Sequence, residues 1–311
     1  MIELLSHGYT AIINPLRGGS CIHLSRFGAS ILRTPKSEAD YETGPYFYGT
    51  PLLFFPNRIS GGQFEFEGRT YTLPITEPDT GCFLHGTLHE TPFEIVSQQA
   101  DRVMLQYQAT ADAPYLSFPH AFTLRLLWKL DEHGLSQQVT FTNDSERNMP
   151  IALAFHTTFS LPFVQQSHAD NITMQLDTSA EYSRNLKNYL PDGGFFADYP
   201  QKQELDEGTF HPGPCRMSRF FKMGERKELV LTDPVAGIKA AYQALQGYDY
   251  WMVYNGIAAD FLSVEPQTWL SNCPNAPFPR EQTGFAYLEP RQSRTYQTRL
   301  SIERTAKQAA P

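Results

Sequence analysis

Apolar and polar residues alternate with a period of two along much of the chain. Val103, Leu105 and Tyr107 form one such row; Phe122, Leu124, Leu126, Trp128 and Leu130 form another, with Thr123, Arg125 and Lys129 on the opposite face. That period is the signature of a strand with one side in a core. The turn sequence Asp131-Glu132-His133-Gly134 leads on to Leu135, Gln137, Val139 and Phe141, which predicts a hairpin. A second hairpin is expected from Leu229–Thr232, through Asp233-Pro234-Val235-Ala236-Gly237, to Ile238–Tyr242. A third is expected from Phe285–Leu288, through Pro290-Arg291-Gln292-Ser293, to Tyr296, Thr298, Leu300 and Ile302. No segment carries the pattern of a long amphipathic helix. Many short strands punctuated by Gly, Pro, Asn and Asp predict an all-β sandwich or barrel.

No linker divides the 311 residues, and large all-β folds often run past about 250 residues as one unit, so a single domain over 1–311 is expected. The irregular stretch Tyr189–Pro214 reads as a long functional loop, and Ala306–Pro311 as a frayed tail. A net charge of −8 argues against nucleic acid or an anionic membrane surface as partner, since both select a cationic footprint. The start of the chain lacks a basic segment followed by an apolar run, and the apolar stretch from Pro51 to Pro56 is too short to span a bilayer. A cytoplasmic location is therefore expected, with Cys21, Cys82, Cys215 and Cys273 as scattered free thiols.

Several apparent motifs dissolve on inspection. Arg17-Gly18-Gly19-Ser20 and Ser60-Gly61-Gly62 lack the strand–loop–helix setting of a phosphate cradle and read as turns. His85 and His89 would share a helix face, but Gly86 and Thr87 are poor helix residues, so a metal site is not expected. What remains is polar residues in apolar surroundings: His156 in Ala154-Phe155-His156-Thr157-Thr158-Phe159, Glu265 in Leu262-Ser263-Val264-Glu265-Pro266, and Arg58 after Phe54-Phe55-Pro56-Asn57. Charged groups rarely sit in such runs unless paired or functional. Singly, each has a structural explanation: a satisfied core histidine, a Glu265–Arg58 ion pair, a loop-capping His85. Together they supply an acid, a base and a cation without naming a reaction.

These residues resemble the aldose 1-epimerase (galactose mutarotase) family. Pro56-Asn57-Arg58-Ile59 is similar to its Asn-Arg segment, and Gly62, Phe64, Gly68, Tyr71 and Leu73 follow as in the family. Leu84-His85-Gly86 is similar to its Leu-His-Gly motif, Phe155-His156-Thr157-Thr158-Phe159 to its His-x-x-Phe strand, and Leu190-Pro191-Asp192-Gly193 to its Pro-x-Gly loop. Val264-Glu265-Pro266-Gln267-Thr268, with Pro274-Asn275-Ala276 downstream, resembles the segment bearing the catalytic glutamate. The resemblance implies a large antiparallel β-sandwich with an open cleft for a small-molecule sugar and no metal or organic cofactor. It makes Glu265 the general base and His156 the general acid, with Arg58, His85 and Asn57 binding substrate. Mutual attraction of that pair is expected to raise the imidazole pKa and lower that of the carboxyl. One departure concerns specificity: in Ser218-Arg219-Phe220-Phe221, Ser218 stands where many members carry an Asp. An epimerase of phosphorylated hexoses is a rival reading, and would need extra cations such as Arg184 or Arg219. A non-catalytic sugar-binding module and a glycosidase are the others. The oligomeric state is not legible.

Overall fold

The computed structural model describes residues 1–305; the expected tail at Ala306–Pro311 lies outside the described residues. Two large antiparallel sheets face each other. The first runs in the order Glu94–Gln98, Arg102–Ala109, Phe122–Asp131, Gly134–Asn143, Ser293–Arg304, Ile238–Gln246, Glu228–Asp233 and Thr173–Leu176. Its alternation is as the sequence predicts: Leu124, Leu126, Trp128 and Leu130 are fully buried, while Thr123, Arg125 and Lys129 are not. The second runs Pro191–Phe196, Thr178–Arg184, Ser218–Met223, Tyr250–Tyr254, Phe261–Gln267, Ala154–Phe155 and Leu52–Leu53, with Thr158–Ser160 also paired to Phe261–Gln267. Aromatic contacts stitch the two layers together. Tyr242 of the first sheet lies 6.2 Å from Trp251 and 6.0 Å from Phe159 of the second, and its hydroxyl accepts a 2.9 Å hydrogen bond from Thr157. A smaller sheet of Ile2–Ser6, Tyr9–Asn14, Ser20–Arg26 and Ala29–Ser30 precedes them. Most buried apolar residues, from Ile2 to Ile302, form one contiguous cluster, and Tyr182, Phe220, Tyr250, Met252 and Leu270 form a second, smaller one.

The first two expected hairpins form, Leu130 facing Leu135 and Asp233 facing Ile238 across their turns. The third does not. Ala286–Leu288 pairs with Met149–Ile151, while Ser293–Arg304 inserts between Gly134–Asn143 and Ile238–Gln246. The turn at 290–293 redirects the chain between two sheets rather than folding it back on itself. The 189–214 stretch is also more regular than expected, containing the strand Pro191–Phe196 and the helix Lys202–Glu207. Besides that helix, the only α-helix among the described residues is Glu38–Thr43, also six residues long. None of them is long and apolar enough to cross a membrane. All four cysteines are free.

Candidate active site

Phe261–Gln267 is buried at every position although it lies in a sheet. One face explains half of this: Leu262 and Val264 enter the core between the layers. The other face carries Ser263, Glu265 and Gln267, and this is the face that holds the site. Ala154 is partnered with Gln267 and Thr158 with Ser263. The same register sets His156 opposite Glu265, on the same side. The side chains meet: His156 Nε2 lies 3.2 Å from Glu265 Oε1, and the two are only 4% and 2% exposed. Glu265 Oε2 accepts a 2.9 Å hydrogen bond from Gln267 Nε2, whereas His156 Nδ1 is sealed from solvent without a hydrogen-bond partner.

Burial dominates the electrostatics of this pair, opposite to the expected ion pair. Desolvation raises the Glu265 carboxyl to about 8, against the Gln267 hydrogen bond and the charges of Arg184 and Arg58. Desolvation lowers His156 to about 3, its own backbone carbonyl acting weakly the other way. In a dry pocket the neutral forms win, because separating charge there costs more than the attraction returns. At neutral pH the pair holds one proton, on Glu265.

His156 and Glu265 open onto a cavity of about 640 Å³ that is also lined by Asn57, Arg58, His85, Tyr189, Ser218, Met252 and Tyr254. The ribbon of Arg58–Ser60 and Cys82–Leu84 sets one wall, Arg58 facing Leu84. Just beyond it, Asn57 and His85 both have left-handed backbones, with φ of 60° and 63°. The Asn57 N–H donates to His85 Nδ1 at 3.2 Å. A backbone N–H can only donate, so Nδ1 accepts and the neutral ring carries its proton on Nε2. His85 is thereby a fixed donor, and burial holds its pKa well below the usual histidine value. Gly86 completes this turn: at φ 69°, a side-chain carbon would lie 2.2 Å from both the Phe54 carbonyl and the Tyr115 hydroxyl. Asn57 Oδ1 is occupied by Ser271 Oγ at 2.8 Å, which leaves its Nδ2 for a ligand.

Arg58 does not pair with Glu265. Its Nε and Nη2 each reach a Glu77 oxygen at 2.6 Å, and its guanidinium lies 4.8 Å from the Tyr189 ring centroid. Burial works to raise the Glu77 carboxyl, but hydrogen bonds from Arg58 and Thr80 and the Arg58 charge together hold it below the usual range. Opposite, the segment after Glu38–Thr43 lays Tyr46 and Phe47 over the histidines. The Tyr46 ring is 4.8 Å from His85, 4.6 Å from His89 and 5.9 Å from His156, and Phe47 is 5.5 Å from His156. His89 is buried behind Tyr46. No cluster of three metal-ligating side chains occurs among the described residues.

All five residues singled out in the sequence, Glu265, His156, Arg58, His85 and Asn57, thus line one cavity. Glu77, Tyr46, Phe47, Tyr189, Met252 and Tyr254 line it too and were missed. For Tyr46 and Phe47 a signal existed, an aromatic cluster directly after Gly44-Pro45. Glu77 sits in a polar turn that looks solvated, and nothing local marks it.

A facing pair of large antiparallel sheets, with a carboxyl–imidazole couple buried at the foot of a cavity, defines the class. The profile of the family described as Aldose 1-epimerase matches residues 1–301, and the chain belongs to that family. It is similar to the crystal structure of a galactose mutarotase-like protein from Clostridium acetobutylicum, with a TM-score of 0.89, 27% identity, and coverage of 97% of this chain and 95% of that one. A GalM/aldose epimerase homologue from C. elegans shares the fold, with a TM-score of 0.77 and 17% identity over 98% of this chain and 99% of that one. Among curated proteins, the uncharacterized protein YphB of Escherichia coli (strain K12) is 24% identical over 309 residues, 97% of this chain and 99% of its own length.

Proposed function

We propose that the chain is an aldose 1-epimerase, an isomerase that interconverts the α and β anomers of a cyclic aldose. The observation that carries this reading is the 3.2 Å contact of His156 with Glu265 at the buried end of the cavity. Mutarotation needs an acid and a base side by side, because the two reacting oxygens, the C1 hydroxyl and O5, share one carbon. Moving the resting proton along that contact converts the neutral pair into carboxylate and imidazolium. Glu265 then takes the proton of the C1 hydroxyl while His156 gives one to O5 and the C1–O5 bond breaks. The open aldehyde turns about C1–C2, and the reverse transfers close the ring on the other face. Charge is conserved throughout and no redox partner enters. Each positioned proton transfer contributes roughly 10²–10⁴-fold. Arg58, held by Glu77, the His85 Nε2–H and Asn57 Nδ2 are the donors that hold sugar hydroxyls.

The test is anomer interconversion followed by polarimetry with wild type and Glu265→Gln. The variant is expected to fold and to lose roughly 10²-fold or more of the acceleration. Near-wild-type rates would remove Glu265 as the base.

A further inference from the structure

Glu265 has a different neighbour for each of its oxygens. Oε1 faces His156 Nε2 at 3.2 Å, and Oε2 accepts from Gln267 Nε2 at 2.9 Å. No other hydrogen bond or ion pair reaches this carboxyl among the described residues. Ser263, the remaining polar side chain on that face of the strand, is engaged elsewhere: its hydroxyl lies 2.9 Å from that of Thr158. Strand pairing on both sides places Gln267, which is partnered with Ala154 and with Tyr250. It stands two residues after Glu265 and therefore on the same face. Its side chain is fully buried.

The Gln267 amide serves one partner. Its Nε2 makes the bond to Glu265, and its Oε1 is sealed from solvent with no hydrogen bond. A buried amide with an unpaired oxygen is a poor stabiliser, since an apolar side chain of the same length would fill the space without that desolvation cost. What the amide does supply is a direction. The last torsion of a glutamate, between a tetrahedral and a planar carbon, has broad minima, so packing alone sets the carboxyl plane weakly. A donor fixed to one oxygen sets it firmly: with Oε2 taken, Oε1 is the oxygen turned to His156. That holds in either charge state of the carboxyl, because an Oε2 without a proton of its own accepts in both.

We propose that Gln267 is a positioning residue: its amide sets the plane of the Glu265 carboxyl and assigns to Oε1 the proton exchanged with His156. The step moves one proton between Glu265 Oε1 and His156 Nε2, with the hydrogen bond at Oε2 kept throughout. That this exchange serves ring opening rests on the mutarotase reading given above; the hold of Gln267 on the carboxyl does not. Gln267 is not among the residues that line the cavity, so its loss acts on turnover rather than on substrate affinity.

The experiment compares wild type with Gln267→Met, which keeps the length and loses the donor, and Gln267→Glu, whose acid form still donates. Anomer exchange of glucose and galactose is followed by polarimetry across pH, with urea unfolding to check the fold. In Gln267→Met, kcat is expected to fall roughly tenfold or more with KM within about twofold of wild type. The alkaline limb of kcat/KM should also move to higher pH, because the lost N–H had favoured the charged carboxyl. Gln267→Glu should recover part of kcat below neutrality and lose it as its own acid ionises. Wild-type kcat in Gln267→Met, or an equal loss in both variants at every pH, overturns the proposal. So does a loss of stability with the limb unmoved, which a merely structural amide would give. Crystal structures of the variants keep the test independent of turnover. Glu265 Oε1 is expected to leave His156 Nε2 in Gln267→Met and to stay beside it in Gln267→Glu at acid pH; the contact kept in Gln267→Met overturns the proposal. Should Gln267→Met not fold, Gln267→Glu crystallised on either side of its ionisation carries the same comparison. If wild type turns over neither sugar, the mutarotase reading falls, and the crystal structures still decide whether Gln267 holds the carboxyl.

Discussion

Glu265 and His156 should shape the stability of the protein against pH in a way that one substitution can isolate. In the folded chain Glu265 keeps its proton up to about pH 8 and His156 stays neutral down to about pH 3. In the unfolded chain the carboxyl titrates at 4.5 and the imidazole at 6.5. Between pH 4.5 and 6.5 both states hold one proton on this pair, folded on Glu265 and unfolded on the histidine, so the pair adds no slope. From 6.5 to 8 the folded state holds one proton and the unfolded state none. Stability then falls as pH rises, by about 1.4 kcal/mol per unit and about 2 kcal/mol in all. Below 4.5 the unfolded state holds two protons and the folded state one, so stability falls again towards acid. Glu265→Gln removes the carboxyl: the alkaline decline disappears, and stability now rises with pH up to 6.5, as a buried neutral histidine dictates. Urea unfolding at pH 5.5, 6.5, 7.25 and 8 reads this, using the fluorescence of the fully buried Trp128, Trp251 and Trp269. Taking wild type minus variant cancels every other titrating group. That difference should decline through the whole range; a flat or rising difference would refute the assignment of the proton to Glu265.

Other outcomes follow from the same geometry. The kcat/KM of anomer exchange should lose activity on an alkaline limb near pH 8, where the pair gives up its single proton; a profile flat to pH 9.5 contradicts this. His156→Asn should fold and lose roughly 10²-fold or more in kcat by polarimetry. Glu77→Gln frees Arg58 from its bidentate clamp and should raise KM roughly tenfold with a smaller change in kcat, as initial rates over sugar concentration will show. Gly86→Ala places a carbon against the Phe54 carbonyl on a left-handed backbone and should cost about 1–3 kcal/mol in urea unfolding.

Much of the fold was legible because a strand with one buried face writes its period into the sequence, as Phe122–Asp131 does. The hairpins at 131–134 and 233–237 were legible because their turn residues lie between the strands they join. The failure at 290–293 has the converse cause: a turn signal is local, whereas the partner of Ala286–Leu288 is Met149–Ile151, far back in the chain. The site divides the same way. Glu265, His156, Arg58, His85 and Asn57 stand in short motifs and line one cavity, but Glu77 owes its place there to a partner that no local pattern reveals. The protonation of the central pair was misjudged because attraction between two charges can be anticipated from residue types alone. How far Tyr46, Phe47 and the sheet shut out water cannot, and that exclusion decides the outcome.

His156 and Glu265 owe their meeting to the strand pairs on either side of them, Ala154 with Gln267 and Thr158 with Ser263. Side chains on a strand point alternately up and down, so inserting or deleting one residue within 154–158 or 263–267 would turn one of the two side chains towards the opposite layer. Length changes elsewhere, in the segments that join strands, leave the couple aligned. Among descendants of this chain, gaps should therefore be excluded from those two five-residue windows even where the surrounding loops drift freely.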